Sequence, residues 1–172
     1  MTEVEDTVEG TTARSEDAAL VERIAAAVYG LIVAASVMVA GAAHLSVGGM
    51  TAAVIVTVVV YWLAESYARY LAERVVHPGH EAVVEAVHHA LAHWRMVTAT
   101  FLPLAVLLLA SLMGADESGA VLAALVLTAL LLAVLGWIAA ARARMTHPRR
   151  VATAAIAGAV GLVMIALKLA LH

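Results

Sequence analysis

The chain has 172 residues, of which 64% are hydrophobic and 13% charged, and its formal net charge is −3. A soluble domain runs nearer ~45–50% apolar and ~25% charged, so a water-soluble core of this size cannot hide these side chains and lipid must solvate much of the chain. Cysteine is absent, which excludes disulfides, thiolate metal sites and a cysteine nucleophile, and no basic patch is interleaved with aromatics, which argues against nucleic acid as a partner.

Residues 1–19 are rich in Thr, Glu, Asp and Gly and hold six of the thirteen acids (Glu3, Glu5, Asp6, Glu9, Glu16, Asp17). They lack apolar periodicity and read as a disordered acidic cytoplasmic tail. Residues 20–172 read as a transmembrane helical domain. Five apolar runs cover 24–45, 51–72, 96–113, 119–141 and 151–170. Each is close to the roughly 20 residues that a helix needs to cross about 30 Å of hydrocarbon, and the third is the shortest. Spanning strands are excluded by the lack of alternating polarity, so the expected fold is an all-α polytopic helix bundle of about five spans. The first run is too long, and its flank too acidic, for a cleaved signal peptide.

Between the first two runs lies Ser46 to Met50, where Gly48-Gly49 marks a turn. The long connection 73–95 is broken at Pro78-Gly79 and then reads as a His-rich cytoplasmic helix at about 77–95. Pro103 is expected to kink the third span. A short acidic link, Gly114 to Ser118, leads into the fourth run. The last link, Arg142 to Arg150, carries four arginines and His147-Pro148. With the N-terminus inside, nine arginines (14, 23, 69, 74, 95, 142, 144, 149, 150) face the cytoplasm and Lys168 alone lies outside. The positive-inside rule therefore predicts N-inside, C-outside.

Lipid supplies no hydrophobic drive between helices, so small residues that let backbones approach are the expected contact points. The first span offers Ala26, Gly30 and Ala34, and the fifth Ala154, Gly158 and Gly161. Both stripes suit packing within the chain or with another copy. Each ends in polar residues at the outer surface. Lys168 is expected there as an anchor that snorkels to water.

Glu65 is the acid set deepest in a span, about 5–6 Å inward of its middle. A charge at that depth normally faces protein or water, and it marks a function by default. Arg69 follows at the favourable i,i+4 spacing. Tyr61 and Tyr29 complete the candidate intramembrane polar site. Two readings stay open: Glu65 as a partner for Arg69 and a tyrosine, or as a proton, ion or ligand site. In the connecting helix, Glu85, His89 and His93 stand at steps of four, with His77, His80 and His88 nearby. A His pair at i,i+4 can chelate a metal. Successive steps of four drift by about 40°, however, so the groups do not converge, and a solvated His-rich face is expected rather than a metal site. No nucleophile-base-acid set and no phosphate loop stands out. Neither catalysis nor a cofactor is expected.

At Tyr29-Gly30-Leu31-Ile32, the Trp62 to Tyr70 stretch and His93-Trp94 before Pro103, the chain resembles a group of small Ala/Val-rich multipass proteins of actinobacteria with no established activity. The resemblance implies a plasma-membrane location and transfers no functional residues. Three functions compete, in this order: a non-catalytic protein acting by association with a membrane partner or as a homo-oligomer; a small proton- or ion-coupled transporter or channel using Glu65; and a sensor using the His-rich helix or the acidic tail.

Overall fold

In hydrocarbon no water is available to bond backbone amides and carbonyls, so a chain this apolar must satisfy them within helices. The computed structural model describes residues 2–76 and 95–170, with side chains from Leu20 onward except at 69, 73, 76 and 95–97. Every regular element among them is an α-helix: α1 Thr2–Gly41, α2 Val47–Val76, α3 Arg95–Leu112, α4 Glu117–Arg142 and α5 His147–Ala170. Among the described residues, four segments are long and apolar enough to cross a membrane: Leu20–Gly41, Val47–Ala72, Glu117–Arg142 and His147–Ala170. The apolar part of α3, Thr98–Leu112, is shorter. The whole of α3, 18 residues, is about 27 Å long at 1.5 Å per residue, just under one hydrocarbon thickness.

The acidic N-terminal segment differs from the expected disorder, because α1 begins at Thr2 and runs unbroken into the first apolar run. Extending an existing helix adds one hydrogen bond per residue with no new nucleation. Acids in a first helical turn are also favoured by the helix dipole. The first link differs too. Gly48-Gly49 lie inside the first turn of α2, and the chain reverses at 42–46 instead. The cause is Ser46, whose hydroxyl accepts from the Gly49 amide at 3.3 Å and so caps the helix ahead of the glycines. Asp116 does the same for α4, accepting from the Gly119 amide.

The C-terminal ends of α3 and α4 close by one shared device. Ala115 N–H donates to Ala110 O and Gly114 N–H to Ser111 O; Met145 N–H donates to Ala140 O and Arg144 N–H to Ala141 O. This pairing requires a left-handed residue just past the helix. Gly114 takes it at φ 89°, and Arg144 takes it at φ 51°. An L-residue with a Cβ costs about 1 kcal/mol more than glycine in that conformation.

α1 is central and touches each of the other four helices, while α4 and α5 share the most extensive contact. The buried faces are rows at steps of four: Gly30, Ala34 and Met38 on α1, Met50, Val54 and Val58 on α2, and Ala120, Ala124 and Thr128 on α4. Residues four apart stack on one helix face, so each row is a ridge that fits a neighbour's groove. The central cluster joins Ala34, Met38, Val54, Val58, Leu104, Leu107, Val121 and Leu125. It gathers in the half of the bundle nearer the turns at 42–46 and 113–116. Hydroxyls inside the helices mostly bond one turn back, as Thr128 does to Ala124 O at 2.8 Å and Ser36 to Ile32 O at 2.8 Å. Their polarity is thereby hidden from lipid.

Candidate functional site

The small-residue stripes lie inside the chain. Ala26, Gly30 and Ala34 are buried in α1. On α5, Gly158 and Gly161 face α4. A Cβ at Gly161 would sit 2.4 Å from both Cα and Cβ of Ala129, and one at Gly158 would sit 3.3 Å from Ala133 Cβ. α4 answers with its own glycine, since a Cβ at Gly136 would lie 2.8 Å from Ala157 Cβ. The α4 half of this seam (Ala129, Ala133, Gly136) was readable from its spacing, as small residues at successive turns.

Glu65 lies on the C-terminal half of α2, where the buried row of Met50, Val54 and Val58 gives way to partly covered residues. It is half-buried and engaged by a polar or electrostatic partner. Trp62, one turn before it, packs on the central cluster. The Ser66 hydroxyl beside it is buried without a hydrogen-bond partner, a costly condition that marks a site awaiting a donor or acceptor. The two tyrosines of the candidate site face outward, Tyr29 54% exposed and Tyr61 39%, as does Tyr67 at 63%. Counted from the turn at 42–46, Tyr29 and Tyr61 lie at similar depths, about 18 and 21 Å along their helices. The Arg74 guanidinium lies 5.0 Å from the centre of the Tyr70 ring, in cation–π geometry. The side chain of Arg69 lies outside the described residues, as do Glu85, His89 and His93 in segment 77–94.

At the opposite end of the bundle, Lys168 departs from the expected snorkelling anchor. It is only 2% exposed. Its ammonium donates to the backbone carbonyl of Ser118 at 3.4 Å and to the Ser118 hydroxyl. The stem is covered by protein because the last turns of α5 lie against the first turn of α4, and the head reaches the exposed end of that turn. His44 and Asp116 nearby are exposed, and Asp116 is occupied with capping.

An open apolar groove of about 560 Å³ runs along the α4–α5 seam, lined by Val126, Leu130 and Trp137 on one wall and Val151, Ala155 and Leu162 on the other. It exists because the small residues at the seam draw the backbones together while the large ones flank it. At its Trp137–Val151 end stands the four-arginine link. Arg142, Arg144 and Arg149 are exposed, and Arg150 Nε donates to Met145 O at 2.7 Å. His147 meets the Trp137 ring edge-on, with centroids 5.6 Å apart.

No protein-family model, curated protein or solved structure matches the chain.

Proposed function

We propose that this is a five-span plasma-membrane protein, N-terminus inside and C-terminus outside, that acts without catalysis by associating through the inner half of α2. The observation that carries this reading is Glu65, a carboxylate only half-covered by its own chain, on a helix face where Tyr61 and Ala68 are exposed. At that depth a carboxylate is costly against acyl chains and gains from a polar neighbour. A partner helix, from a second copy or another membrane protein, completes its cover. The nine-to-one arginine asymmetry supports the orientation.

A photo-crosslinking residue in place of Tyr61 or Ala68, both exposed on the face of Glu65, is expected to give protein adducts in membranes, whereas one at the exposed Val163 of α5 gives lipid adducts only. Glu65→Gln removes a charge-assisted bond of about 1.5–3 kcal/mol, so the adduct yield falls about tenfold or more. Lipid adducts alone at all three positions would refute association. A second reading, a small proton- or ion-coupled transporter, draws on the unbonded Ser66 hydroxyl beside Glu65. Under it, Glu65→Gln folds normally and abolishes flux in liposomes.

A further inference from the structure

We infer that the α4–α5 groove is a binding site for an anionic phospholipid, with an acyl chain laid in the groove and the phosphate held by the arginines at its mouth. The inference rests on the proposed bilayer-spanning topology and its orientation, and is independent of the association reading.

Three observations converge. The first is shape. From Val151 to Ile165 the groove follows α5 for about 21 Å, longer than the roughly 15 Å depth of one leaflet's hydrocarbon. Its walls are apolar, and its narrow floor of Ala154, Gly158 and Ala129 fits a slender chain.

The second is charge. Arg142, Arg144, Arg149 and Arg150 stand within nine residues, and residues 118–172 contain no Asp or Glu. Guanidinium groups recognise phosphate through paired, charge-assisted hydrogen bonds. A basic cluster at the cytoplasmic end of two adjacent spans lies at the headgroup level of the anionic leaflet.

The third is the backbone at Arg144. The matching turn after α3 fills its left-handed position with Gly114, the residue best suited to it, whereas the turn after α4 places an arginine there at φ 51°. Glycine would close that turn with less strain. The arginine adds one more cation at the groove mouth, and this is the physical gain that sets against the strain.

Trp137 lines the groove and reports its occupant directly. The test uses the full chain with Trp62→Phe and Trp94→Phe, so that Trp137 is the single tryptophan, reconstituted in phosphatidylcholine vesicles. Phosphatidylglycerol or phosphatidylcholine brominated on the acyl chain is then titrated in. The anionic lipid is expected to reach half-quenching at a mole fraction at least about fivefold lower, the factor that one surface arginine typically supplies. Arg144→Gly should reduce that preference several-fold while leaving thermal stability equal or higher, which separates lipid binding from folding. Replacing all four arginines with Gln should equalise the two lipids, and Arg23→Gln with Arg74→Gln should leave the preference intact. Equal quenching by both lipids in the parent chain would overturn the proposal. So would a Trp137 that neither lipid quenches, since acyl chains then do not enter the groove.

Discussion

Gly161→Ala is expected to lower the thermal stability of the detergent-solubilised protein sharply, although alanine is the better helix former. Propensity alone would favour alanine by about 1 kcal/mol in an exposed helix. At this position, however, the new methyl would lie 2.4 Å from the Cα and Cβ of Ala129 and 3.2 Å from its amide nitrogen. Backbone atoms cannot swing aside as the tip of a long side chain can, so α5 must move off α4. Overpacking of this kind costs about 1–3 kcal/mol, and a rigid backbone contact lies at the upper end. Gly136→Ala should behave similarly, because Thr153 O and Ala154 Cα would lie within 3.3 Å of the added methyl, along with Ala157 Cβ. Gly48→Ala is the control. Nothing lies within 4 Å of that position, and its stability should hold or rise slightly. An unchanged unfolding temperature in Gly161→Ala would mean that the α4–α5 seam is looser than these distances imply.

The second large effect is expected at Lys168, and it separates the stem from the charge. Lys168→Ala removes both the buried stem and the ammonium that holds Ser118, and should cost at least about 2 kcal/mol by analogy with large-to-small core changes. Lys168→Met keeps most of the volume and discards the charge. The Ser118 groups left behind sit at an exposed helix end where water can replace the lost donor. Exchanging a buried ionic group for an apolar one of similar size is often close to neutral. The methionine variant should therefore unfold near the parent temperature and well above the alanine variant. Equal losses in both would show that the ammonium, and not the packing of the stem, joins the ends of α4 and α5.

The helices were legible in the sequence because a run of apolar residues near twenty long has few other uses. Their ends were less so. Hydropathy marks what lipid tolerates, whereas a helix ends where its last amides and carbonyls find other partners. Ser46 and Asp116 therefore set the starts of α2 and α4 a few residues before the apolar runs begin, and Gly48-Gly49 proved to be helical rather than a turn. In α1 the sequence pointed to disorder because acidic residues lack a core-facing stripe, yet a helix already nucleated in the first span extends through them. Lys168 was placed in water because a lysine near a span end usually has lipid beside its stem. The packing of α5 on α4, which no local pattern reveals, put protein there instead. For Glu65 the sequence located an acid at depth. In the structure the neighbouring tyrosines turn outward and leave the carboxylate half-covered. The groove and the left-handed Arg144 emerge only once two helices and their link are seen together.

The five-crossing topology is tested most directly by labelling single cysteines in intact cells, since the native chain has none. Gly48 lies in the first turn of α2, just past the link from α1, and Ala115 lies in the link between α3 and α4, whereas Ser15 precedes the first apolar run and Ala143 follows α4. Cysteines at Gly48 and Ala115 should react with a membrane-impermeant maleimide, and cysteines at Ser15 and Ala143 should react only after the cells are permeabilised. The informative pair is Ala115 and Ala143, because α3 is the shortest of the described helices. If α3 fails to cross, the two exchange places: Ala115 becomes protected and Ala143 reacts from outside, which would contradict five crossings.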